Sequence, residues 1–199
     1  MLAAAWSEWD TRRRFGRIEE MLQYIQQKLS QLNVNNAAAD DAGMHLLELV
    51  LREAQLQHSE KKRKRLANVL VASWVSAEPP KATFDESILF VRATAVFTDS
   101  HIAVLDAIHQ AGPNASMSFS EIGAMVSETS NLDDTSLIVL NDLCSVFGFV
   151  KRAWDLNRPD RKQGLFSTAN LGPEGIARKC FHAITPRGSR YVNHVIRGM

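Results

Sequence analysis

Apolar residues recur in steps of three and four near the start of the chain. The positions between them are filled mostly by Arg, Glu, Gln and Lys, and the recurring residues are Phe15, Ile18, Leu22, Ile25, Leu29 and Leu32. This spacing puts all six side chains on one stripe of a helix. Fewer than three heptads are present. Two readings therefore stay open: packing against the chain's own next helix, or a coiled coil with another chain.

Two further helices are expected after this arm. The Asn-rich stretch NVNNAAAD interrupts the first helix, and Asp40 or Asp41 can cap the second. The second helix repeats the steps of three and four at Met44, Leu47, Leu51, Ala54 and His58. The third is expected from Ser59 to about Ser76, because the prolines of AEPPK cannot continue a helix. We predict a helical arm or small helical bundle over residues 1–80.

Residues 84–199 predict a second domain that is mainly helical with a small β-hairpin. Helices are expected at 84–97, from 98 or 99 to Gly112, from the capping box Ser118-x-x-Glu121 onward, and from 131–134 to 147. Strands are expected at 149–153 and 176–184, and Thr185 can cap a last helix. In the second strand, Ile176, Arg178, Cys180, His182 and Ile184 share one face.

Two motifs in this half resemble winged-helix regulators of the MarR type. LNDLCSVFGFVKR is similar to the end of their third helix and first wing strand, and residues 184–191, ITPRGSRY, are similar to their entry into a final helix. The resemblance implies a winged-helix fold for residues 84–199 and DNA binding through the third helix. Separately, the arm segments RIEEMLQYIQQKL and SEKKRKRLANVLVASW resemble uncharacterised bacterial proteins with a membrane-proximal N-terminus, and that likeness implies no function.

The third helix of this half is poorly suited to reading bases. Asp133 and Asp134 at its start would face phosphates, and Val139, Leu143 and Phe147 stand where MarR-like helices usually carry charge. A helix this apolar is covered on more than one side, by the N-terminal bundle, a second copy of the chain or another protein. The candidate interface residues are Leu22, Ile25, Leu29, Val139, Leu143 and Phe147.

Basic residues offer a second way to bind nucleic acid. In the predicted wing they are Arg152, Arg158, Arg161 and Lys162, which could bind backbone phosphates without sequence preference or keep a loop soluble. The run Lys61–Arg65 resembles a nucleic-acid patch, although a solvated helix face explains it as well. The net charge of +1 gives no global field toward nucleic acid.

The N-terminus carries features typical of a membrane edge. Trp6 and Trp9 precede four arginines, which are Arg12, Arg13, Arg14 and Arg17; an ordinary amphipathic helix start is the alternative. MLAAAWSEWD lacks the apolar core of a signal peptide, and the apolar stretches fall short of the ~20 residues that span a bilayer. We expect a soluble cytoplasmic chain, with membrane association through the N-terminus as the alternative.

No enzyme motif is evident in the sequence. His101 and His109 are two helical turns apart, too far to share a metal, and Cys180-Phe181-His182 lacks the further ligands that a metal site needs. There is no G-x-S-x-G or H-E-x-x-H motif. The two cysteines, Cys144 and Cys180, are too few for a disulfide framework. We therefore expect no enzymatic activity, no cofactor and no metal.

Two hypotheses of different class follow from these patterns. The first is a winged-helix protein-interaction module that assembles through its helical arm and third helix, most simply as a homodimer. The second is a DNA-binding transcriptional regulator that contacts DNA mainly through its basic wing. Salt-dependent DNA binding would distinguish the second from the first.

Overall fold

Most of the described residues are helical. The computed structural model describes residues 2–32, 41–75, 80–112, 115–127, 135–153 and 181–198. They form two compact units, one made of residues 1–96 together with 193–199, and the other of residues 97–192.

The first unit is a bundle of four helices. These are α1 (Leu2–Gln31), α2 (Asp41–Leu56), α3 (Glu60–Val75) and α4 (Pro80–Val96). Because α4 packs against α2 and α3, it belongs to the bundle, and the division between units falls after Val96. The boundary expected at residues 80–84 differs from this division, which places residues 80–96 in the first unit. Helix α4 also starts earlier than the expected residue 84, since a proline fits the first turn of a helix, where its missing N–H has no partner to lose.

The core of the bundle uses a different stripe of α2 from the expected one at Met44, Leu47, Leu51, Ala54 and His58, because only Ala54 of these is buried and Met44 is 54% exposed. From α2 it takes Leu46, Val50 and Ala54, and from α3 Leu66, Leu70 and their neighbours. Helix α1 adds Met21 and Ile25, which are 3% and 4% exposed. The expectation that the heptad seam packs against the chain's own helices is thus met by part of the seam.

The second unit combines helices with a small sheet. Its elements are α5 (Asp99–Gln110), β1 (Met117–Ser118), α6 (Phe119–Ser127), α7 (Thr135–Asn141), β2 (Val150–Ala153), β3 (Phe181–Ile184) and α8 (Pro186–Arg190). A π-helical segment, Asp142–Val146, continues α7, and another, Tyr191–Ile196, continues α8. The expected strand at 176–184 is described only over its last four residues.

The described sheet is antiparallel with the strand order β1-β3-β2. His182 in the central strand lies opposite Met117 of β1 and Arg152 of β2. Strand β1 was not predicted, because two residues are too few to show a period. All four residues of β3 are buried, so both faces of the central strand are covered, and the alternation of its side chains gives no polar face.

Local capping interactions position the helices of the second unit. Thr98 caps α5, and its hydroxyl accepts from the His101 backbone N–H at 3.4 Å. The capping box at α6 is present: the Ser118 N–H donates to the Glu121 carboxylate at 2.6 Å, and the Glu121 N–H donates to the Ser118 hydroxyl at 3.3 Å. Gly112 follows α5 with a φ of 102°. These predictions of helix ends are confirmed.

The predicted cap at Thr185 is confirmed and joins α8 to the segment that precedes β2. Its hydroxyl accepts from the Gly188 N–H at 3.1 Å and donates to the Gly148 carbonyl at 2.9 Å. Its own N–H donates to the Phe149 carbonyl at 3.0 Å. A Cβ at position 188 would collide with that same carbonyl. Thr185 and Gly188 therefore allow the start of α8 to lie directly against the backbone of Gly148 and Phe149.

Aromatic rings form the centre of the second unit. Phe97 is 1% exposed, and its ring stacks on His101 at 4.9 Å between centroids. The same ring meets Phe147, Phe149 and Tyr191 edge-on at 4.8, 5.8 and 5.6 Å. Such edge contacts suit the quadrupoles of the rings.

Candidate interaction surface

The heptad seam of α1 is divided between the inside of the bundle and its surface. Ile25 is buried, whereas Phe15 and Leu22 are 66% and 42% exposed, and Ile18 and Leu29 are half-buried. We call Phe15, Ile18, Leu22 and Leu29 the α1 stripe. Met21, which lies one helical turn before Ile25 and outside the heptad seam, is buried in the bundle. In the sequence, the only indication of this role is that Met21 is adjacent to the seam residue Leu22.

An apolar groove adjoins the α1 stripe. It has a volume of about 420 Å³ and lies between three helices of the bundle. Helix α1 contributes Leu22, Ile25 and Leu29, while α2 contributes Leu47 and α3 contributes Trp74. The polar residues Gln26 and Ser30 of α1 also line the groove.

The other three candidate interface residues lie inside the second unit. Val139, Leu143 and Phe147 are 3%, 0% and 9% exposed, and the Phe147 ring contacts Phe97. Side chains that fill their own core cannot also meet a partner, so their place in the candidate interface is corrected. Among the described side chains of this helix and its π-helical continuation, Ile138 and Val146 are exposed, at 59% and 63%.

The described part of the predicted wing contains one of the four candidate nucleic-acid contacts. Arg152 donates from its guanidinium to the Asn141 side-chain oxygen at 2.8 Å, and it lies opposite His182 in the sheet. Arg158, Arg161 and Lys162 lie outside the described residues, as do Asp133 and Asp134. The Arg152 guanidinium is thus already engaged by a side chain of its own unit.

The basic run Lys61–Arg65 takes part in the packing of the bundle. Arg63 is 9% exposed, and its guanidinium donates to the carbonyls of Gln57 and His58 at 3.3 and 3.1 Å and to the Glu20 carboxylate at 2.8 Å. Lys62 donates to the Ala95 carbonyl at 3.0 Å. The charged groups of Lys62 and Arg63 therefore form hydrogen bonds with other residues of the first unit.

Lys64, in the same run, pairs with Glu60 at 2.7 Å. This hydrogen bond, aided by the opposite charges, raises the pKa of Lys64 and lowers the pKa of Glu60. Both groups are solvent-exposed, so the pair contributes little to stability.

The arginines near the N-terminus also have partners close by. Arg12 pairs with Glu8 at 2.6 Å and Arg14 with Asp10 at 2.7 Å. Arg13 lies over the Trp9 ring at 4.6 Å, and Arg17 donates to the Gln55 carbonyl at 2.9 Å. Among the described helices, none combines the length and the apolar character needed to cross a bilayer.

The histidines of the second unit lie in separate structural settings. His101 contacts the Thr98 hydroxyl at 2.8 Å and the Asp142 carboxylate at 3.4 Å. His109 contacts the Ser189 hydroxyl at 3.1 Å. The part of the chain that the structure describes has no group of three or more His, Cys, Asp and Glu side chains placed to hold a metal ion. Cys180 lies outside it.

His182 is fully buried in the middle of the sheet. Neither ring nitrogen makes a hydrogen bond of good geometry to a described residue. Burial and the nearby Arg152 cation lower the pKa of His182 from its ordinary value of 6.5 to about 4, against a smaller opposing effect of the Met117 backbone. The ring is therefore neutral at physiological pH and behaves as part of the core.

Comparisons with protein-family models, with curated proteins and with solved structures found no match to this chain.

Proposed function

We propose that this chain is a non-enzymatic winged-helix protein that acts as a protein-interaction and oligomerisation module. The observation that carries the proposal is the α1 stripe. Apolar side chains at heptad spacing, left on the outside of a helix that packs on its bundle through Met21 and Ile25, are what one helix presents to another. Its continuity with the groove at Leu47 and Trp74 gives a partner helix a concave place to lie.

The winged-helix part of the proposal is supported by the order of elements in the second unit. Helix, short strand, two helices, two strands and a final helix follow one another from α5 to α8, with β3 between β1 and β2. Apart from the short strand β1, this is the order of helices, two hairpin strands and final helix that the sequence predicts, and it supports the proposed winged-helix fold. Folds of this kind serve many functions, so the surfaces rather than the fold distinguish the two functional hypotheses.

Those surfaces favour protein interaction over base recognition. Val139 and Leu143 are turned into the core, where they cannot reach base edges. Arg152 is bonded to Asn141, which reduces its availability for phosphate. The alternative, a regulator that contacts DNA through Arg152, Arg158, Arg161 and Lys162, predicts binding to random duplex DNA that weakens steeply as salt rises.

The test is the oligomeric state of the full chain across a concentration series, measured by sedimentation equilibrium. We expect reversible self-association. A chain that stays monomeric at the highest soluble concentration contradicts the oligomerisation proposal. Tight duplex binding by such a monomer would favour the DNA-binding alternative.

A further inference from the structure

We propose that the partner of the α1 stripe is a second copy of this chain, whose own α1 lies antiparallel, with Leu22 facing Leu22 across a two-fold axis. The inference rests on the proposed function, because it names the partner and the register of that same surface.

Three residues of the α1 stripe, Phe15, Leu22 and Leu29, are spaced symmetrically about Leu22, while the mirror position of Ile18 is the polar Gln26. Phe15 lies seven residues before Leu22 and Leu29 seven residues after it, so a two-fold axis through Leu22 brings Phe15 of one copy against Leu29 of the other. A homodimer with a two-fold axis needs a surface that is complementary to itself in this way. The stripe extends over about 21 Å of helix, at 1.5 Å per residue.

Charge favours the antiparallel direction over the parallel one. Residues 8–20 of α1 hold four arginines (Arg12, Arg13, Arg14 and Arg17) and four acidic residues (Glu8, Asp10, Glu19 and Glu20), whereas residues 21–32 contain several glutamines and a single cation, Lys28. Lys28 donates to the Gly198 carbonyl of its own unit at 3.3 Å. A parallel pair sets the cluster Arg12–Arg14 beside its own copy and Glu19 beside Glu19, where like charges repel. An antiparallel pair places the charged residues 12–20 of each copy beside the largely uncharged residues 24–32 of the other.

The residues beside the stripe agree with this arrangement. Glu19 and Gln26 flank Leu22 on the exposed side of α1, and antiparallel pairing about Leu22 sets Glu19 of one copy near Gln26 of the other. An amide can donate to a carboxylate, so this contact is favourable, whereas Glu19 against Glu19 would be repulsive.

A second copy fits this surface better than a lipid surface does. Helices that lie on membranes surround their apolar face with Lys and Arg along its length. Here the half of α1 that borders the groove is uncharged apart from Lys28. In this register Phe15 of the facing helix lies opposite Leu29, beside the groove, where its ring can pack against Leu47 and Trp74.

The first experiment maps the register by disulfide formation. Cys144 and Cys180 are replaced by Ser, and single cysteines are introduced into the full chain under mild oxidation. We expect Leu22→Cys to form a covalent dimer with itself. Phe15→Cys alone should not, whereas Phe15→Cys mixed with a differently tagged Leu29→Cys should form a mixed dimer. A covalent dimer of Phe15→Cys alone would indicate a parallel pair and overturn the inference.

The second experiment places a charge in the stripe. We expect Leu22→Glu to weaken self-association at least tenfold in sedimentation equilibrium. The matched control is Val96→Glu, an equally apolar-to-acidic change at a side chain that is 60% exposed on α4, which should leave association unchanged. Circular dichroism of both variants checks that the helices are retained.

The outcomes separate this inference from the proposed function. A wild-type chain that never self-associates contradicts both. A chain that self-associates as strongly with Leu22→Glu as without it keeps the oligomerisation proposal and overturns the α1 dimer. The α1 dimer is likewise overturned if the α1 cross-links fail to form. It is also overturned if Leu22→Glu abolishes cosedimentation of the chain with phosphatidylserine vesicles while leaving the dimer intact.

Discussion

The side-chain amide of Asn68 donates a hydrogen bond to the backbone carbonyl of Val195, 127 residues further along the chain, at 3.0 Å. The amide oxygen of Asn68 accepts from the Tyr24 hydroxyl at 2.9 Å. Gly198 lies against the same amide with a φ of 69°. These contacts fix the end of the chain to α1 and α3, and explain why residues 193–199 belong to the first unit.

We expect Asn68→Ala to lower the free energy of unfolding by about 1–3 kcal/mol, because Asn68 is only 8% exposed and the change leaves the Val195 carbonyl without its partner. Urea denaturation measures the loss. Tyr24→Phe removes one hydrogen bond from the same amide and should cost less, about 1 kcal/mol. Equal stability of Asn68→Ala and the wild type would show that this contact contributes nothing.

We expect Gly188→Ala to destabilise the chain by about 1–3 kcal/mol or more, since the added Cβ collides with the Phe149 carbonyl and presses on Ile184. The matched control is Gly123→Ala in α6, where a Cβ meets nothing within 4 Å. That change should be neutral or stabilising by about 0.5–1 kcal/mol through helix propensity. Thermal melts compare the two variants with the wild type. Shifts of the melting temperature in the same direction for both variants would contradict the prediction.

We expect the stability of the chain to depend on pH through His182. Its pKa is lowered to about 4 in the folded chain from 6.5, so between these values the unfolded chain binds more protons. The contribution of His182 to the free energy of unfolding is therefore complete above about pH 6.5 and falls as the pH drops toward 4. At about pH 5 this contribution is smaller by about 2 kcal/mol.

The measurement is urea denaturation at about pH 7.5 and about pH 5, for the wild type and for His182→Gln. The variant cannot take up the proton, so its loss of stability on acidification should be smaller by the amount that His182 contributes. Identical pH profiles for the two proteins would mean that another group causes the dependence.

We expect Arg63→Met to destabilise the chain by about 1–3 kcal/mol, because it removes the donors to the Gln57 and His58 carbonyls from a buried position. Lys61→Met, in the same basic run but at an exposed position, should change stability by less than about 0.5 kcal/mol. Chemical denaturation compares them. Equal effects would indicate that the run acts only as a solvated face.

The sequence by itself determined the helix ends that are set by a side-chain cap, whereas the start of α4 lies four residues before the expected one. Thr98, the Ser118 and Glu121 pair, and Thr185 cap helices as expected, and α3 ends within a residue of the predicted position. A cap is made by atoms three or four residues apart, so the local sequence holds all of the information that it needs.

Only the tertiary structure decided which apolar residues are buried and which stay at the surface. The periodicity is as strong at Leu22 as at Ile25, yet one is exposed and the other is packed. Likewise, the apolar third helix of the second unit buries Val139 and Leu143 while exposing Ile138 and Val146. Periodicity records that a side chain belongs to an apolar face, but the neighbour that covers the face comes from residues far away in the chain. The hydrogen bond from Asn68 to Val195 and the packing of α4 in the bundle both join residues that are distant in the sequence, so neither leaves a local sequence pattern.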